Sequence, residues 1–458
     1  IYKNQMLKKV IVVGGGLAGL TAAHTVIESG CSVLLLEKNS FCGGNSTKAT
    51  SGINGALTTT QAQNGIKDSI ESFEKDVALS ASRGQSDKIY PLGKVLCEES
   101  VESLNWLTKN FKIDLSLLSQ LGGHSYPRTH RGKEKFPGMT ITYGLLDALE
   151  AIEKESKGTK AKIITKAKVV KLLTENDNVI GVVYEKNNQL IEEYGAVILA
   201  TGGYGADLGK NSLLSKYRPD LVDLPTTNAP QTTGDGIKMV IDIGGDLEDM
   251  ECVQVHPTSL VQKSNPNAKT KFLAAEALRG VGGLLLNANG HRFCDELGRR
   301  DYLSAKMQND KAPFYLVLNS KAANDIIWHC KHYEQRKLMY HCPNGDALAK
   351  EIGVSPSKLK ATFDEYNINA KENKDKFGKK FFRNAPFEMS DSFYVAQVCP
   401  AVHYTMGGVK VTTNAEVLKN GKVIPGLFAT GEILGGVHGK NRLGGNSLLD
   451  CVVFGRVS

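Results

Sequence analysis

A chain of 458 residues, 41% hydrophobic and 23% charged, has the make-up of a folded protein with a large core, which excludes a disordered chain or a small disulfide scaffold. Its 56 basic and 48 acidic side chains leave a net charge of +8, a mild excess that favours anionic ligands without requiring nucleic acid. Nine cysteines with no CxxC or CxxCH spacing exclude a disulfide framework, an iron-sulfur cluster and c-type haem, and read as reduced, mostly buried thiols.

In chain order, Ile1 to Lys9 has the pattern of neither a signal nor a transit peptide, and no run of apolar residues is long enough to span a bilayer. Either end is open to trimming, so the expectation is a soluble chain of cytoplasm or of an organelle lumen such as the mitochondrion or endoplasmic reticulum. Lys9 to Val13 reads as a strand, Leu17 to Ser29 as a helix and Ser32 to Glu37 as a second strand, half of a doubly wound domain. Helical spacing covers Asp68 to Asn110. A second α/β stretch from Thr140 to Gly203 contains strands at Lys162 to Thr165, Val179 to Glu185 and Ala196 to Ala200. From Val253 to Met389 the pattern turns to long polar helices and charged loops, read as an inserted cap, before short strands and glycine loops return from Val395 to Gly445 and a helix starts at Asn446.

Glycine is the outlier, with 47 residues where an average share near 7% gives about 32. The surplus sits in loops. Gly14, Gly16 and Gly19 form GxGxxG between the first strand and helix, and Glu37 ends the next strand eighteen residues later, where a carboxylate accepts bonds from a ribose while the helix N-terminus faces pyrophosphate. Phe41-Cys42-Gly43-Gly44-Asn45-Ser46, Ala200-Thr201-Gly202-Gly203 and Ala429-Thr430-Gly431-Glu432 follow strands in turn and together specify a flavoprotein with FAD. The candidate cofactor contacts are Gly14, Gly16, Ala18 and Gly19 in the first turn, Glu37 and Lys38 at the acidic strand end, and Gly44, Asn45, Ser46, Ser51 and Gly52 in the next loop. Further along they are Val169, Thr201, Gly202, Asp235, Glu432, Arg442, Ser447 and Leu448, the last two opening a helix whose N-terminus stabilises negative charge on reduced flavin.

Five further motifs stand in a distinctive order: Val255-His256-Pro257-Thr258, Ala275-Glu276-Ala277-Leu278-Arg279-Gly280, Arg299-Arg300-Asp301, His403-Tyr404-Thr405-Met406-Gly407-Gly408 and Asn441-Arg442-Leu443-Gly444-Gly445-Asn446. Over essentially its whole length the chain resembles the flavoprotein of the succinate dehydrogenase and fumarate reductase family, in its soluble fumarate reductase branch. The resemblance implies an α/β fold: a Rossmann-like, discontinuous FAD-binding domain at residues 1–252 and 395–458, with a mobile α+β capping domain at 253–394. It also implies that His256, His403 and Arg442 bind and polarise a dicarboxylate, that flavin N5 passes hydride to one alkene carbon and that Arg300 protonates the other. A guanidinium holds its proton tightly, so Glu276 and Arg279, three apart on one helix face, would return the proton to Arg300; the rival reading has Arg300 orient a donor water.

Three departures from the family pattern carry expectations. Ser46 stands where membrane-attached members link FAD through histidine, so the FAD should be noncovalent. The chain stops after the last motif, which disfavours docking to an iron-sulfur subunit, and Ala275 replaces a threonine of bacterial soluble relatives. In some members the backbone carbonyls equivalent to Thr405, Met406, Gly407 and Leu434, with Glu432, hold a monovalent cation. No other metal is expected. His329, Cys330, His332, His341 and Cys342 match no zinc spacing and read as an exposed or half-buried cap helix. Lys376 to Arg383, with Phe377, Phe381 and Phe382, reads as a cap surface whose aromatics face inward. The basic segment Gly122 to Arg131 is a candidate lining for an entry.

No second nucleotide fingerprint, haem or cluster motif is present, so electrons must come from an external donor: reduced flavin, a redox domain or a partner protein. A monomer is expected. The competing functions are reduction of another enoate such as urocanate or an acrylate, oxidation of succinate or aspartate, and a noncatalytic flavin-binding module.

Overall fold

A computed structural model describes residues 8–458; of the stretch Ile1 to Lys9, residues 1–7 lie outside the described part. The central sheet has the strand order Glu416–Lys419, Lys422–Ala429, Ala196–Leu199, Lys9–Val13, Ser32–Leu36, Ala161–Ile164. All pairings are parallel except that of the edge strand Glu416–Lys419. These strands are short runs of Val, Ile and Leu with both faces covered, the pattern of a buried parallel sheet. Because Lys422–Ala429 pairs with Ala196–Leu199, the end of the chain completes a sheet begun at its start, and the part of the fold that carries the parallel sheet is discontinuous.

The helix Leu17–Glu28 lies against this sheet at close range. A Cβ on Gly19 would stand 1.9 Å from the Gly14 carbonyl oxygen, so only glycine lets the helix approach the first strand. The helix Asn446–Val457 packs on the same helix, where a Cβ on Gly455 would meet Thr21 at 2.7 Å. Helices Ile70–Ala81, Pro91–Glu98 and Ser100–Phe111 lie in the expected helical stretch, passing its end by one residue at Phe111, and Pro137–Ser156 begins three residues before the expected second α/β stretch.

Among the strands that escape sequence reading are two of one meander. Lys168–Glu175 and Gln189–Tyr194 flank Asn178–Lys186 in an antiparallel meander. Their burial alternates weakly, which hides the period of two. The signal that betrays them is the turns, since Asn176, Asp177, Asn187 and Asn188 all have positive φ, the conformation of tight two-residue hairpins.

The insert also corrects the sequence reading. Besides its helices Arg300–Gln308, Ile327–Gln335, Gly345–Ile352 and Pro356–Glu372, it is built on a mixed-length antiparallel sheet ordered Phe272–Leu273, Val253–Leu260, Phe393–Thr405, Phe314–Asn319, Leu284–Leu286. The thirteen-residue strand Phe393–Thr405 crosses position 394, the expected edge of the cap, and carries the sheet on to His403. Two apolar clusters fill the insert, one around Leu278, Leu303 and Leu316 and one around Leu348, Phe363 and Phe387, separate from the main core of the flavin-binding part. Within Lys376 to Arg383, Phe377 and Phe382 face Arg292 and Tyr366, whereas Phe381 is exposed, so the aromatics do not all turn inward. Among the described residues no helix is long and apolar enough to cross a membrane.

Candidate active site

A cavity of about 570 Å³ opens at the carboxyl ends of the parallel strands, where Val13, Leu36, Ala200 and Thr430 line it. This is the crevice in which doubly wound sheets take ligands. At one end lie Gly14, Gly16, Ala18, Glu37, Lys38, Gly44, Asn45 and Ser46; along its length come Ser51, Gly52, Val169, Thr201, Gly202, Asp235, Ser447 and Leu448. At the other end stand Arg300, His403, Arg442 and Glu432. Of the predicted cofactor contacts only Gly19 is absent from the lining, since it serves the helix–strand contact instead.

Local chemistry fixes the glycine end. Gly14 has φ +109°, outside the range of ordinary side chains, and a Cβ there would lie 2.3 Å from the Ala200 carbonyl oxygen. The Glu37 carboxylate accepts from the backbone N–H of Gly15 and of Asn39, both at 2.8 Å. Lys38 reaches Asp235 at 2.8 Å, tying the acidic strand end to the turn at Gln231–Thr233. The Ser46 hydroxyl accepts from Leu17 N–H at 3.1 Å, capping one free donor of the helix that faces the cavity.

The cationic end is assembled from several elements. Arg300 opens the helix Arg300–Gln308, and its guanidinium donates to Glu276 Oε2 from Nε at 2.8 Å and from Nη2 at 2.7 Å, and to Gln254 Oε1 from Nη1 at 2.8 Å. Glu276 is buried, with Oε1 held by Gly122 N–H at 2.8 Å and Oε2 at 3.6 Å from Arg279 Nη2. Burial would raise its pKa, but the charges of Arg300 and Arg279 and the bond from Arg300 pull it down to about 2. Burial, and next the charge of Arg300, lower Arg442 to about 10.

His256 and His403 arrive on neighbouring strands. Gln254 pairs with Tyr404 and Val255 with Val402, which leaves His403 as the extra residue of a bulge. Such a bulge turns a side chain away from the regular alternation. The ladder is interrupted again between His256 and Ser259, where Pro257 has no N–H to give. The imidazole centroids lie 5.0 Å apart. Burial and the charge of Arg300 push both histidines well below 6.5, so both are neutral at neutral pH. His256 accepts Thr258 N–H at Nδ1, which leaves the proton on Nε2, a fully buried donor without a protein partner. His256, Glu276 and Arg279 stand behind the cavity wall rather than on it.

The FAD binding domain family matches residues 9–448. A fumarate reductase of Schizosaccharomyces pombe is 47% identical over 98% of this chain and 88% of that protein, and fumarate reductase 1 of Saccharomyces cerevisiae is 38% identical over 99% and 98%. The chain belongs to the fumarate reductase flavoprotein family. A solved flavocytochrome c3 fumarate reductase, described as an open conformation, is 33% identical with a TM-score of 0.73, covering 99% of this chain and 78% of that one.

The cavity fits FAD, the family's cofactor. Gly14, Gly15 and Gly16 bring bare backbone to its wall, where a Cβ on Gly14 would meet the Ala200 carbonyl oxygen at 2.3 Å and one on Gly15 the Cys42 Sγ at 2.5 Å. The glycine turn, Glu37 and the start of helix Leu17–Glu28 suit a ribose and pyrophosphate, and the start of Asn446–Val457 presents free N–H groups to a flavin.

Several residues of this site carry no motif of their own. Gln254, besides accepting from Arg300, donates to Asn441 Oδ1 at 2.9 Å and to the Arg442 carbonyl at 2.7 Å, so it joins the two cavity arginines. Ser51 Oγ accepts Glu276 N–H at 2.9 Å, fastening a flavin-side loop to the insert. The segment Gly122 to Arg131 lines no entry: Gly122 holds Glu276, His124 bonds the Gly444 carbonyl at 2.9 Å, and Arg128 is buried between Asp68 and Asp76. Nor do the clustered His and Cys residues of the insert converge. The helix there is more buried than expected, with His329 on the Thr50 carbonyl at 3.0 Å and Cys330 in the core, while His341 lies on a separate strand.

Proposed function

We propose that this protein is a soluble, FAD-dependent fumarate reductase that forms succinate with electrons from an external donor. The observation that carries the reading is the convergence of Arg300, His403 and Arg442 on one wall of the cavity that begins at the glycine turn. A planar dianion of four carbons needs donors at both carboxylates. Arg442 offers a two-pronged grip on one, and the neutral Nε2–H of His403 suits the other, with the His256 ring packed behind it. When bound and reduced by the external donor, FAD would supply a hydride to one alkene carbon. Arg300 would then deliver a proton to the other carbon, and its charge on the cavity wall would stabilise the negative charge that builds there. Closure of the insert over the flavin-binding part would exclude water from the hydride path.

Glu276 and Arg279 serve to restore the proton. While Arg300 is charged, Glu276 is far too weak a base to compete for it. Once Arg300 has given its proton, the larger of the two charges that depress Glu276 is gone, and a proton that reaches Glu276 from the side of Arg279, whose Nη2 stands 3.6 Å away, can pass back along the 2.7 Å and 2.8 Å contacts. Glu432, raised by burial to about 7, would be held ionised by a monovalent cation at the carbonyls of Thr405, Met406, Gly407 and Leu434.

The test is anaerobic: the bound flavin is reduced chemically and its reoxidation followed on adding fumarate, urocanate or acrylate. Rapid reoxidation by fumarate alone is expected; rapid reoxidation by urocanate with none by fumarate would overturn the dicarboxylate assignment. With Ser46 at the position of the linking histidine and its hydroxyl engaged by Leu17 N–H, the FAD is noncovalent. Acid or heat denaturation should release all of the flavin into the supernatant, and yellow colour retained in the precipitate would refute this.

A further inference from the structure

The bulge that turns His403 into the cavity leaves its ring orientation to be set by something other than the strand ladder. One dipeptide on the neighbouring segment grips this residue twice. Asn228 Nδ2 donates to the His403 carbonyl at 3.0 Å, and the Thr227 hydroxyl meets His403 Nδ1 at 2.7 Å. Thr227 N–H also donates to the Val402 carbonyl at 2.9 Å, and Asn228 Oδ1 accepts from Asn45 Nδ2 at 2.8 Å, so the grip is anchored on the cofactor-side loop.

We infer that Thr227 is a positioning residue that holds His403 in the tautomer with its proton on Nε2, aimed at a substrate carboxylate. This rests on the dicarboxylate reading above. The hydroxyl has two acceptors in reach, the ring nitrogen at 2.7 Å and the Val402 carbonyl at 3.4 Å. The Val402 carbonyl is at the limit of a hydrogen bond, so the hydroxyl proton has its better acceptor in Nδ1. With the Thr227 hydroxyl donating to Nδ1, a neutral ring carries its only proton on Nε2 and can donate it to an anion. Without that donor, the ring is free to put its proton on Nδ1 and face the substrate carboxylate with a lone pair. The same tautomer is imposed on His256 by a different donor, the Thr258 backbone N–H. Two histidines thus reach the same protonation pattern by separate means.

Thr227→Val keeps the shape and removes the hydroxyl, whereas Thr227→Ser keeps the hydroxyl. The Val variant should raise the KM for fumarate about tenfold, the worth of one lost hydrogen bond to an anion, with a smaller fall in kcat and unchanged FAD content. Ser should recover most of the loss. The ¹⁵N spectrum of histidine-labelled holoenzyme, with His403 assigned from the signal missing in His403→Asn, should show protonated Nε2 in wild type and Ser and a shift toward protonated Nδ1 in Val. Equal kinetics in Val and wild type, or a His403 spectrum that Val leaves unmoved, would overturn the proposal. Because the spectrum needs no substrate, it tests the tautomer even if wild type reduces no fumarate, an outcome that would instead remove the reading of the reaction.

Discussion

Arg300→Ala should cut kcat for fumarate reduction by about 10⁴-fold while leaving FAD bound and reducible, since a general acid contributes about 10²–10⁴ and a fixed charge at the developing carbanion adds to it. Arg300 is nearly buried, with two nitrogens on Glu276 and one on Gln254, and it still lines the cavity. Every nitrogen therefore has an assigned direction. Arg300→Lys keeps a charge but puts one ammonium in place of the three nitrogens that meet Glu276 and Gln254, so it should fall between Ala and wild type. Steady-state rates with a chemical reductant, beside flavin content and anaerobic reduction spectra, make the measurement. A near-normal rate in Arg300→Ala would take the proton delivery away from this residue.

Glu276→Gln should lower kcat by about 10²-fold and destabilise the holoenzyme by about 3–5 kcal/mol, the cost of leaving buried guanidinium charges without their anion. The side chain keeps its shape and can still accept from Gly122 N–H, but its NH2 then faces the Arg300 donors in place of Oε2, so the loss combines the missing charge with two missing acceptor contacts. The pH dependence separates the two roles. The unperturbed carboxylate has a pKa of 4.5 and the folded one about 2, so the stabilisation from Glu276 is complete above about pH 4.5 and is lost as pH falls toward 2. Denaturant unfolding across that range should show the wild type losing this component and the Gln variant lacking it throughout. A variant with wild-type rate would confine Glu276 to a structural ion pair; one with wild-type stability would contradict the buried charge arrangement.

Much of the site was legible because its motifs depend on local backbone chemistry. Gly14 needs φ +109° and no Cβ, and the acidic end of the second strand needs a carboxylate for the turn's N–H groups; both requirements are written in one short stretch. The helix Asn446–Val457 begins where the apolar run begins. The substrate-side residues were legible only through the family resemblance, because nothing in the spacing of His256, Arg300, His403 and Arg442 brings them together. Gln254 and Thr227 were invisible by either route, each being an ordinary polar residue whose partner lies more than forty positions away, and Ser51 was read as a cofactor contact but not as the acceptor for Glu276 N–H.

The insert shows the same divide. Its polar helices were readable from periodicity, but its sheet was not, because Val253–Leu260 and Phe393–Thr405 are more than a hundred residues apart and each alone is an ambiguous apolar run. The sequence alone determined the family of chemistry: a glycine-rich nucleotide turn, a flavin-binding order of loops, and the cations for a dianion. Only the tertiary structure decided that His403 sits on a bulge, that Glu276 lies between two guanidiniums, and that Gln254 joins the two cavity arginines. Local motifs follow from the allowed angles of a few adjacent residues. Ion pairs and strand register depend on which distant segments burial forces together.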